Sequence, residues 1–455
     1  MFFERVKSPS LAHISYFVGS ETEAVVIDPR RDCQVYVEIA KKEGMSIKYI
    51  FETHRNEDYV IGSTELQNLT GAKIYHGAKL GFKYGEPLED GQSFNFGNLK
   101  LKAIHTPGHT VEHMSYVLYD VDVEDKPVMV FTGDVLFVGD VGRTDFYEPE
   151  LHRRNAESLY DSIFKKILPL GDHVIICPGH GAGSVCGGEI SAREYSTLGL
   201  EKASNPLLQK TREEFVKHKL SEHHEKPPYF KKMEEYNLEG PPVLYNLPNP
   251  PSLSPEEFQK KMKADAVVLD TRSPVSFGSA HIEGSYNIMF DALSLYTGWL
   301  LDYDTPILLI LEDIKYLDEA VRRLVRIGYD KIIGYLQIGI EAWYNAALPV
   351  ESFNLLTVHR LKKHIDKKDK FTLLDVRGKD EWEKGHIEQA INIFYGHLNK
   401  KYKELTTDNP IIVICNSGKR ASFAVSILRK KGFEEVSNVL GGTTAWEKAN
   451  YPTTT

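Results

Sequence analysis

The 455-residue chain carries 55 lysines and arginines against 64 aspartates and glutamates, and this net charge of −9 gives no electrostatic reason to expect nucleic acid or an anionic membrane as a partner. Hydrophobic residues make up 42% and charged residues 26%, which is typical of an ordinary globular protein of roughly three domains. No apolar run approaches the ~20 residues of a membrane span, and four cysteines are too few for a disulfide framework, so we expect a cytoplasmic protein without a membrane partner.

The first block of sequence, residues 1–205, alternates strand-like and helix-like patterns. Ala24-Val25-Val26-Ile27 reads as a short strand, and the stretch from Cys33 to Glu43 reads as a helix. This alternation, with turn residues between, predicts an α/β layered fold. Residues 206–254 are first densely charged and then interrupted by paired prolines, which predicts a helical extension followed by a linker.

Four short segments of the first block carry histidine or aspartate close to predicted strands. Residues 53–59 read Thr-His-Arg-Asn-Glu-Asp-Tyr, and residues 106–110 read Thr-Pro-Gly-His-Thr. Residues 131–134 read Phe-Thr-Gly-Asp, and residues 178–181 read Pro-Gly-His-Gly. This order and spacing resemble the metallo-β-lactamase superfamily, whose first motif runs His-x-His-x-Asp-His and holds two metals. The resemblance implies an αββα sandwich.

The first motif departs from the superfamily pattern at two histidines, which here are Asn56 and Tyr59. The resemblance then leaves His54, His109 and Asp134 as metal ligands. Two imidazoles and one carboxylate with open positions suit non-haem Fe(II) and oxygen chemistry, whereas a two-zinc hydrolase needs more nitrogen ligands. We therefore expect one Fe(II) per chain, in a pattern that resembles the persulfide dioxygenase branch of the superfamily.

The same resemblance assigns roles to the residues around these ligands. We expect Asp58 to hydrogen-bond a ligand rather than bind metal, and neither Asn56 nor Tyr59 to be a ligand. His180 corresponds to the last histidine of the second metal site, and without that site's other ligands it faces the substrate pocket or binds nothing.

Two further residues have two interpretations each. Arg143, in a segment that resembles one beside the substrate of such dioxygenases, either pairs with a carboxylate of a thiol cofactor or forms an ion pair with Asp145. Cys186 follows the last histidine motif. It either relays persulfide sulfur or is a buried bystander.

The remaining sequence contains an internal repeat with an offset of 105 residues. Val267–Arg272 recurs as Thr372–Arg377, and His281 begins a His-Ile-Glu triplet that recurs at His386. A shared period of this length predicts two copies of one domain, residues 255–352 and 353–455. Both copies resemble rhodanese domains, which implies α/β folds with parallel sheets.

The second copy carries a nucleophile at the end of a strand. Residues 415–420 read Cys-Asn-Ser-Gly-Lys-Arg and precede a helical run. Backbone N–H groups and the helix dipole, together with the charges of Lys419 and Arg420, favour a thiolate at Cys415. The Cys-x-x-Gly-x-Arg loop resembles the active loop of sulfurtransferases, which implies catalytic roles for Cys415 and Arg420. The loop residues that would cradle a persulfide are Asn416, Ser417, Gly418 and Lys419.

The first copy lacks this nucleophile. Aligning the two helices places Leu311 where Cys415 stands, and Glu312 with Asp313 reverses the charge of the loop. Since leucine cannot carry sulfur, we interpret the first copy as a pseudo-rhodanese with a structural or docking role.

Together these resemblances imply a bifunctional persulfide dioxygenase–sulfurtransferase of sulfide detoxification. Its reactants would be a small-molecule persulfide and O2, and its products sulfite or thiosulfate. Two alternatives stay open: a thioester hydrolase like glyoxalase II, which needs the ligands replaced at Asn56 and Tyr59, and a non-catalytic sulfur-binding or sensing protein in which Cys415 is the reactive group. The tyrosine- and phenylalanine-rich composition is compatible with a homo-oligomer.

Overall fold

Two stacked β-sheets form the middle of the first unit, which comprises Met1–Leu247 and Val325–Gly328. The computed structural model describes residues 1–122 and 126–455. The strands of this unit are β1 Phe2–Ser8, β2 His13–Ser20, β3 Glu23–Ile27, β4 Ser46–Phe51, β5 Lys73–Gly77, β6 Glu86–Leu88, β7 Ser93–Phe96, β8 Leu99–His105, β9 Met114–Asp120, β10 Pro127–Gly133 and β11 Ile175–Pro178. Its helices are α1 Gln34–Glu43, α2 Ser63–Thr70, α3 Pro149–Ser162, α4 Leu198–Ser204, α5 Arg212–Ser221 and α6 Phe230–Glu239.

Alternating side chains let each sheet pack on both of its faces. The sheet orders are β1-β2-β3-β4-β5-β6 and β11-β10-β9-β8-β7. Along β3, Val25 and Ile27 join the core between the sheets, whereas Ala24 and Val26 pack with α1 and α2 outside. Val130 of β10 packs with α3 on the opposite outer face. This arrangement confirms the predicted αββα sandwich.

The strand directions bring the predicted site segments to one edge of this sandwich. Strand β8 is antiparallel to β9, which is antiparallel to β10, and β10 is parallel to β11. The three strands β8, β10 and β11 therefore end at the same edge, and the segments with His109, Asp134 and His180 follow those ends. His54 follows β4 of the other sheet. Loops at strand ends held by a rigid scaffold are common places for functional side chains.

The second unit, Pro248–Leu324 with Tyr329–Thr455, contains two five-stranded sheets of matching design. Their orders are β12-β16-β15-β13-β14 and β17-β21-β20-β18-β19, and the pairings are parallel. The repeated α/β domain with parallel sheets is thus confirmed. The strands are β12 Ser252–Leu253, β13 Val267–Asp270, β14 Tyr286–Asn287, β15 Ile307–Ile310, β16 Ile332–Leu336, β17 Asn354–Thr357, β18 Thr372–Asp375, β19 Ala390–Asn392, β20 Ile411–Ile414 and β21 Val436–Leu440. The helices are α7 Pro255–Met262, α8 Pro274–Ser279, α9 Leu293–Leu300, α10 Leu317–Val325, α11 Ile340–Asn345, α12 Val358–Asp366, α13 Lys379–Lys384, α14 Leu398–Lys401, α15 Lys419–Lys430 and α16 Gly442–Lys448.

No helix in the described ranges is long and apolar enough to cross a membrane.

The repeated Asp-x-Arg motif has a structural role in both copies. Arg272 donates from Nε and Nη2 to the Asp270 carboxylate, and its Nη2 also donates to the Ala280 carbonyl. Arg377 repeats these contacts with the carboxylate of Asp375 and the carbonyl of residue 385. A buried bidentate pair satisfies both charges at the end of a strand. The motif therefore supports the fold, which explains why it is present in both copies although the cysteine is present only in the second.

The first copy of the repeated domain contains a histidine that should make stability depend on pH. His281 donates from Nδ1 to the Phe277 carbonyl at 2.9 Å and stacks on the Phe277 ring. Burial lowers the pKa of His281 to about 4, whereas an unfolded histidine titrates near ~6.5. The unfolded chain therefore binds the extra proton first as the pH falls. The contribution of His281 to the free energy of unfolding is complete above pH ~6.5. As the pH falls from there to the folded-state pKa, this contribution declines by up to about 1.4 kcal/mol per pH unit.

The expected result is that the free energy of unfolding of the wild-type chain falls more steeply between pH 7 and pH 5 than that of His281→Gln. Urea unfolding of both proteins across this range measures the difference. His386→Gln is the matched control in the second copy. Parallel pH profiles for the wild type and His281→Gln would contradict the assignment of this slope to His281.

Candidate functional site

Three predicted ligands meet in the interior of the first unit. Nε2 of His54 lies 4.0 Å from Oδ2 of Asp134, and Nε2 of His109 lies 3.6 Å from the same oxygen. All three side chains are buried. Two atoms that bind one ion at about 2.1 Å lie at most about 4.2 Å apart, so these separations fit a single metal ion.

Hydrogen bonds leave Nε2 of both imidazoles available to a metal. Nδ1 of His109 donates to the Arg143 carbonyl at 2.9 Å. Nδ1 of His54 lies 2.9 Å from Oγ1 of Thr53, which itself donates to Asp28. Within the described residues neither Nε2 has a hydrogen-bond partner. Burial lowers the pKa of both imidazoles, that of His109 to about 4, so both are neutral as ligation requires.

His180 lies between two carboxylates and orients one of the ligands. Its Nδ1 is 2.8 Å from Oδ1 of Asp134, and its Nε2 is 3.0 Å from Oδ2 of Asp58. Burial opposes the charged imidazole, but Asp134 and Asp58 outweigh it and raise the pKa of His180 well above its ordinary value. Nδ1 of His180 also lies 3.0 Å from Oδ2 of Asp134, the oxygen that faces the two ligand imidazoles, so His180 fixes the orientation of the whole carboxylate.

Cys186 lies beside this cluster. Its sulfur is within 4.8 Å of ligand atoms of His109 and Asp134, and likewise of Asp58 and His180. Burial raises the pKa of this thiol well above its ordinary value. The side chain is thus a neutral neighbour of the candidate metal centre.

Arg143 forms the ion pair that was the second of its two interpretations. Its Nε and Nη2 donate to the Asp145 carboxylate at 2.7 and 2.8 Å, and its Nη1 donates to the carbonyls of Val185 and Glu225. The guanidinium is buried and its donors are engaged. This geometry therefore does not support a role for Arg143 in binding the carboxylate of a thiol cofactor.

A cavity of about 370 Å³ opens beside His180. His13 and His180 line it from within, and the basic side chains of Arg5, Lys7 and Arg193 line it as well. Glu194 pairs with Lys7 at 2.5 Å and so neutralises part of this charge. The cavity combines apolar walls with cationic groups, which is how small anionic molecules are bound.

In the second unit, Cys415 lies between β20 and α15 as the loop motif predicts. Its sulfur accepts hydrogen bonds from the backbone N–H of Gly418 at 3.1 Å and of Ala421 at 3.4 Å. Gly418 adopts φ of 89°, a left-handed conformation that glycine tolerates best. The loop therefore curls around the sulfur and points amide donors at it, an arrangement that stabilises a sulfur anion.

Arg420 has a partner that the sequence did not reveal. Nη1 and Nη2 donate to the two oxygens of Glu381 on α13, at 2.5 and 2.7 Å. The guanidinium is thus fixed in place next to the cysteine loop, and part of its charge is balanced. Loop residue Asn416 is also held, since its side-chain oxygen accepts from Oγ1 of Thr444 at 2.7 Å.

The first rhodanese-like copy packs against the helix that carries the cysteine loop. Oγ of Ser422 on α15 donates to the Asn287 side chain at 2.6 Å, and the backbone N–H of Asn287 donates to Oγ of Ser426 at 3.2 Å. Tyr296 of α9 stacks on Phe423 with ring centroids 5.4 Å apart. Leu311 follows β15 where Cys415 follows β20, and it is buried. These contacts fit a structural role for the first copy.

Family comparisons agree with this division of the chain. The metallo-beta-lactamase superfamily model matches residues 11–180, and the rhodanese-like domain model matches residues 254–346 and 357–449. A metallo-beta-lactamase from Staphylococcus aureus subsp. aureus COL, known from its crystal structure, is 32% identical. Its TM-score is 0.66, with 74% of this chain and 98% of that chain covered. The chain belongs to the metallo-beta-lactamase superfamily. It also contains two rhodanese-like domains.

Two relatives within this superfamily carry different activities in their names. Hydroxyacylglutathione hydrolase GloC of Haemophilus influenzae is 31% identical over 210 residues, which cover 41% of this chain and 88% of that protein. The mitochondrial persulfide dioxygenase ETHE1 of Bos taurus is 33% identical over 217 residues, which cover 46% of this chain and 76% of that protein. Sequence identity alone does not distinguish between these two activities, so the distinction has to come from the residues of the metal centre.

Two positions of the superfamily's first motif are filled by side chains that do not reach the cluster as ligands. Asn56 donates from Nδ2 to the His54 carbonyl at 3.1 Å. Tyr59 packs on the ring of His13 with centroids 4.0 Å apart, and burial raises the pKa of its phenol well above the ordinary value. A neutral phenol is a poor metal ligand, so Tyr59 does not replace the histidine that the motif has lost at this position.

Glu57 is the member of the cluster that sequence reasoning missed. Its Oε2 lies 3.9 Å from Nε2 of His54 and 3.8 Å from Nε2 of His109. The superfamily motif leaves this position variable, so spacing did not single it out. The available signal was an acidic residue directly after Asn56, where the motif has lost a histidine.

Proposed function

We propose that the chain is a persulfide dioxygenase fused to a sulfurtransferase. The observation that carries this proposal is the pair of neutral imidazoles, His54 and His109, which face one carboxylate, that of Asp134. Asn56 and Tyr59 turn to other partners and supply no ligand where the motif departs from the superfamily. An ion held by two imidazoles and carboxylate is the arrangement of mononuclear iron oxygenases. When bound, Fe(II) would supply the redox chemistry that lets O2 oxidise a persulfide.

The first reaction balances as RSSH + O2 + H2O → RSH + SO3²⁻ + 2H⁺. The outer sulfur loses four electrons, and O2 accepts them. In this step the chain's own residues position the metal ligands and exclude bulk water. Thr53 and the Arg143 carbonyl fix the ring orientation of His54 and His109, and His180 holds Asp134. The buried surroundings keep bulk water away from the reacting sulfur.

The cavity beside His180 is the place we assign to the thiol part of the persulfide. Arg5, Lys7 and Arg193 offer cations to its anionic groups, and the apolar walls suit its carbon chain. This assignment replaces Arg143, whose guanidinium is committed to Asp145.

The second reaction uses Cys415 as sulfur carrier. The thiolate takes the outer sulfur of a persulfide and releases the thiol: Cys415–S⁻ + RSSH → Cys415–SS⁻ + RSH. Sulfite then attacks the outer sulfur, giving thiosulfate and restoring the thiolate: Cys415–SS⁻ + SO3²⁻ → Cys415–S⁻ + S2O3²⁻. The N–H groups of Gly418 and Ala421 support both steps, because they donate to the sulfur that carries the charge.

A thioester hydrolase is the second candidate, and the similarity to GloC favours it. Against it stand Asn56 and Tyr59, since a two-zinc hydrolase of this superfamily requires ligands at both positions. Oxygen uptake by the iron-loaded chain across a panel of small-molecule persulfides decides between them, run beside hydrolysis of a hydroxyacyl thioester by the zinc-loaded chain. We expect uptake with at least one persulfide and no thioester hydrolysis. Hydrolysis without oxygen uptake would overturn the proposal.

A further inference from the structure

The candidate metal centre contains a carboxylate beyond the three ligands assigned above. Oε2 of Glu57 is 3.8 Å from Nε2 of His109 and 3.9 Å from Nε2 of His54. Oδ2 of Asp134 stands at 3.6 and 4.0 Å from the same two nitrogens. The two carboxylate oxygens are thus placed alike with respect to the imidazoles. All of these separations lie within the about 4.2 Å that one ion permits between two of its ligands.

The fold directs one oxygen of Glu57 into the cluster by engaging the other. Oε1 lies 3.5 Å from Nη2 of Arg55, and this guanidinium also pairs with Glu234 at 3.4 Å. The backbone N–H of Arg55 donates to the Glu112 carboxylate at 2.7 Å, which holds the segment in place. Oε2 is buried and has no hydrogen-bond partner among the residues described.

A buried carboxylate oxygen without a partner is unfavourable. Moving an ionised carboxylate out of water is costly unless a cation or hydrogen-bond donors compensate. Oε2 faces the Nε2 atoms of His54 and His109. When Nδ1 of each ring carries the proton, Nε2 presents a lone pair and has no hydrogen to donate. The two imidazoles therefore offer Oε2 no hydrogen, whereas a dication bound by Nε2 of His54 and of His109 would compensate it. The candidate ligand atoms of Glu57 and the two imidazoles all lie within 4.8 Å of one another.

We propose that Glu57 is a fourth protein ligand of the metal, so that this chain holds its ion with two imidazoles and two carboxylates. The inference rests on the proposed metal assignment of His54, His109 and Asp134. Glu57 immediately follows Asn56, whose side chain turns away to its own backbone neighbourhood. It thus restores, with oxygen, the ligand that the motif lost there. Two carboxylates also balance the charge of a divalent ion, and four protein ligands leave two positions on a six-coordinate ion.

The test measures binding of Co(II) and Fe(II) to the full-length apoprotein, because neither measurement needs turnover. We expect Glu57→Gln to weaken the affinity for both ions by about 10–100-fold, the scale of loss when a group supporting a metal is removed. The visible absorption of bound Co(II), which reports ligand number and type, should change as well. Glu57→Asp, which keeps the carboxylate but shortens the chain, should fall between the wild type and Glu57→Gln. Glu112→Gln is the matched control. It removes the charge of a neighbouring buried carboxylate but keeps a side-chain oxygen that can accept from the N–H of Arg55, so the segment stays in place and the wild-type affinity and spectrum should be retained.

Thermal unfolding separates ligation from a merely structural role. If Glu57 serves the metal, the apoprotein of Glu57→Gln should be at least as stable as the wild-type apoprotein, and only its stabilisation by added Co(II) should shrink. Wild-type Co(II) affinity and spectrum in Glu57→Gln would overturn the inference. Failure of the metal assignment itself looks different, because His54→Ala would then bind Co(II) as tightly as the wild type. Failure of the proposed activity would leave Glu57-dependent metal binding without oxygen uptake.

Discussion

Replacing His54, His109 or Asp134 with alanine is expected to remove the metal and reduce persulfide-dependent oxygen uptake to background. The imidazoles of His54 and His109 each face the Asp134 carboxylate across 3.6 to 4.0 Å. The hydrogen bonds that Thr53 and His180 make with these ligands cannot substitute for a missing one. Sulfur transfer from thiosulfate to an acceptor should stay at the wild-type rate, because Cys415 belongs to the other compact unit. Metal content per chain and oxygen consumption are the two measurements.

His105→Ala is the control for this series, since His105 neighbours the same motif but uses its Nε2 to bind the Val111 carbonyl. It should keep the wild-type metal content. If all three ligand variants retained the ion at wild-type stoichiometry, the ligand assignment would be wrong. Loss of sulfur transfer along with the metal would instead show that the two units do not act separately.

Cys415→Ser is expected to change the product of persulfide oxidation from thiosulfate to sulfite. Serine keeps the size of the side chain and can still occupy the loop between β20 and α15, but it cannot carry sulfane sulfur. Oxygen uptake should continue at the wild-type rate, because the candidate metal centre is intact. The decisive quantity is the ratio of sulfite to thiosulfate after a fixed oxygen uptake, with non-enzymatic thiosulfate formation subtracted.

Cys33→Ser provides the control for Cys415→Ser, because this buried cysteine hydrogen-bonds with the carbonyls of Arg30 and Gly62 and a hydroxyl can do the same. Its product ratio should equal that of the wild type. Arg420→Ala should shift the ratio in the same direction as Cys415→Ser but less, since it removes the positive charge and leaves the sulfur. Wild-type thiosulfate yield from Cys415→Ser would rule out the C-terminal domain as the transferase.

Much of the fold was predictable because it follows from local patterns. The continuous apolar run of β3 marks a strand buried on both faces, and the recurring Asp-x-Arg motif marks the two parallel-sheet domains. The cysteine loop was visible for the same reason, since a strand, a tight loop and a helix follow one another within residues 411–430. In each case the interacting groups are close in sequence.

Tertiary structure decided the features that join residues from distant segments. The resemblance left His180 either facing the substrate pocket or binding nothing, and only the folded chain shows it between Asp58 and Asp134. It left two roles for Arg143, and the carbonyls of Val185 and Glu225 arriving from elsewhere explain why the ion pair with Asp145 prevails.

Glu57 shows the same division most clearly. By itself the sequence determined that an acidic residue follows Asn56 in a motif short of ligands. Whether its carboxylate points to solvent or to the imidazoles depends on a side-chain rotamer, and that rotamer is set by Arg55, Glu234 and the burial of the whole segment. Motif spacing fixes where a Cα lies along the chain, whereas the direction of a side chain is fixed by neighbours that only folding brings together.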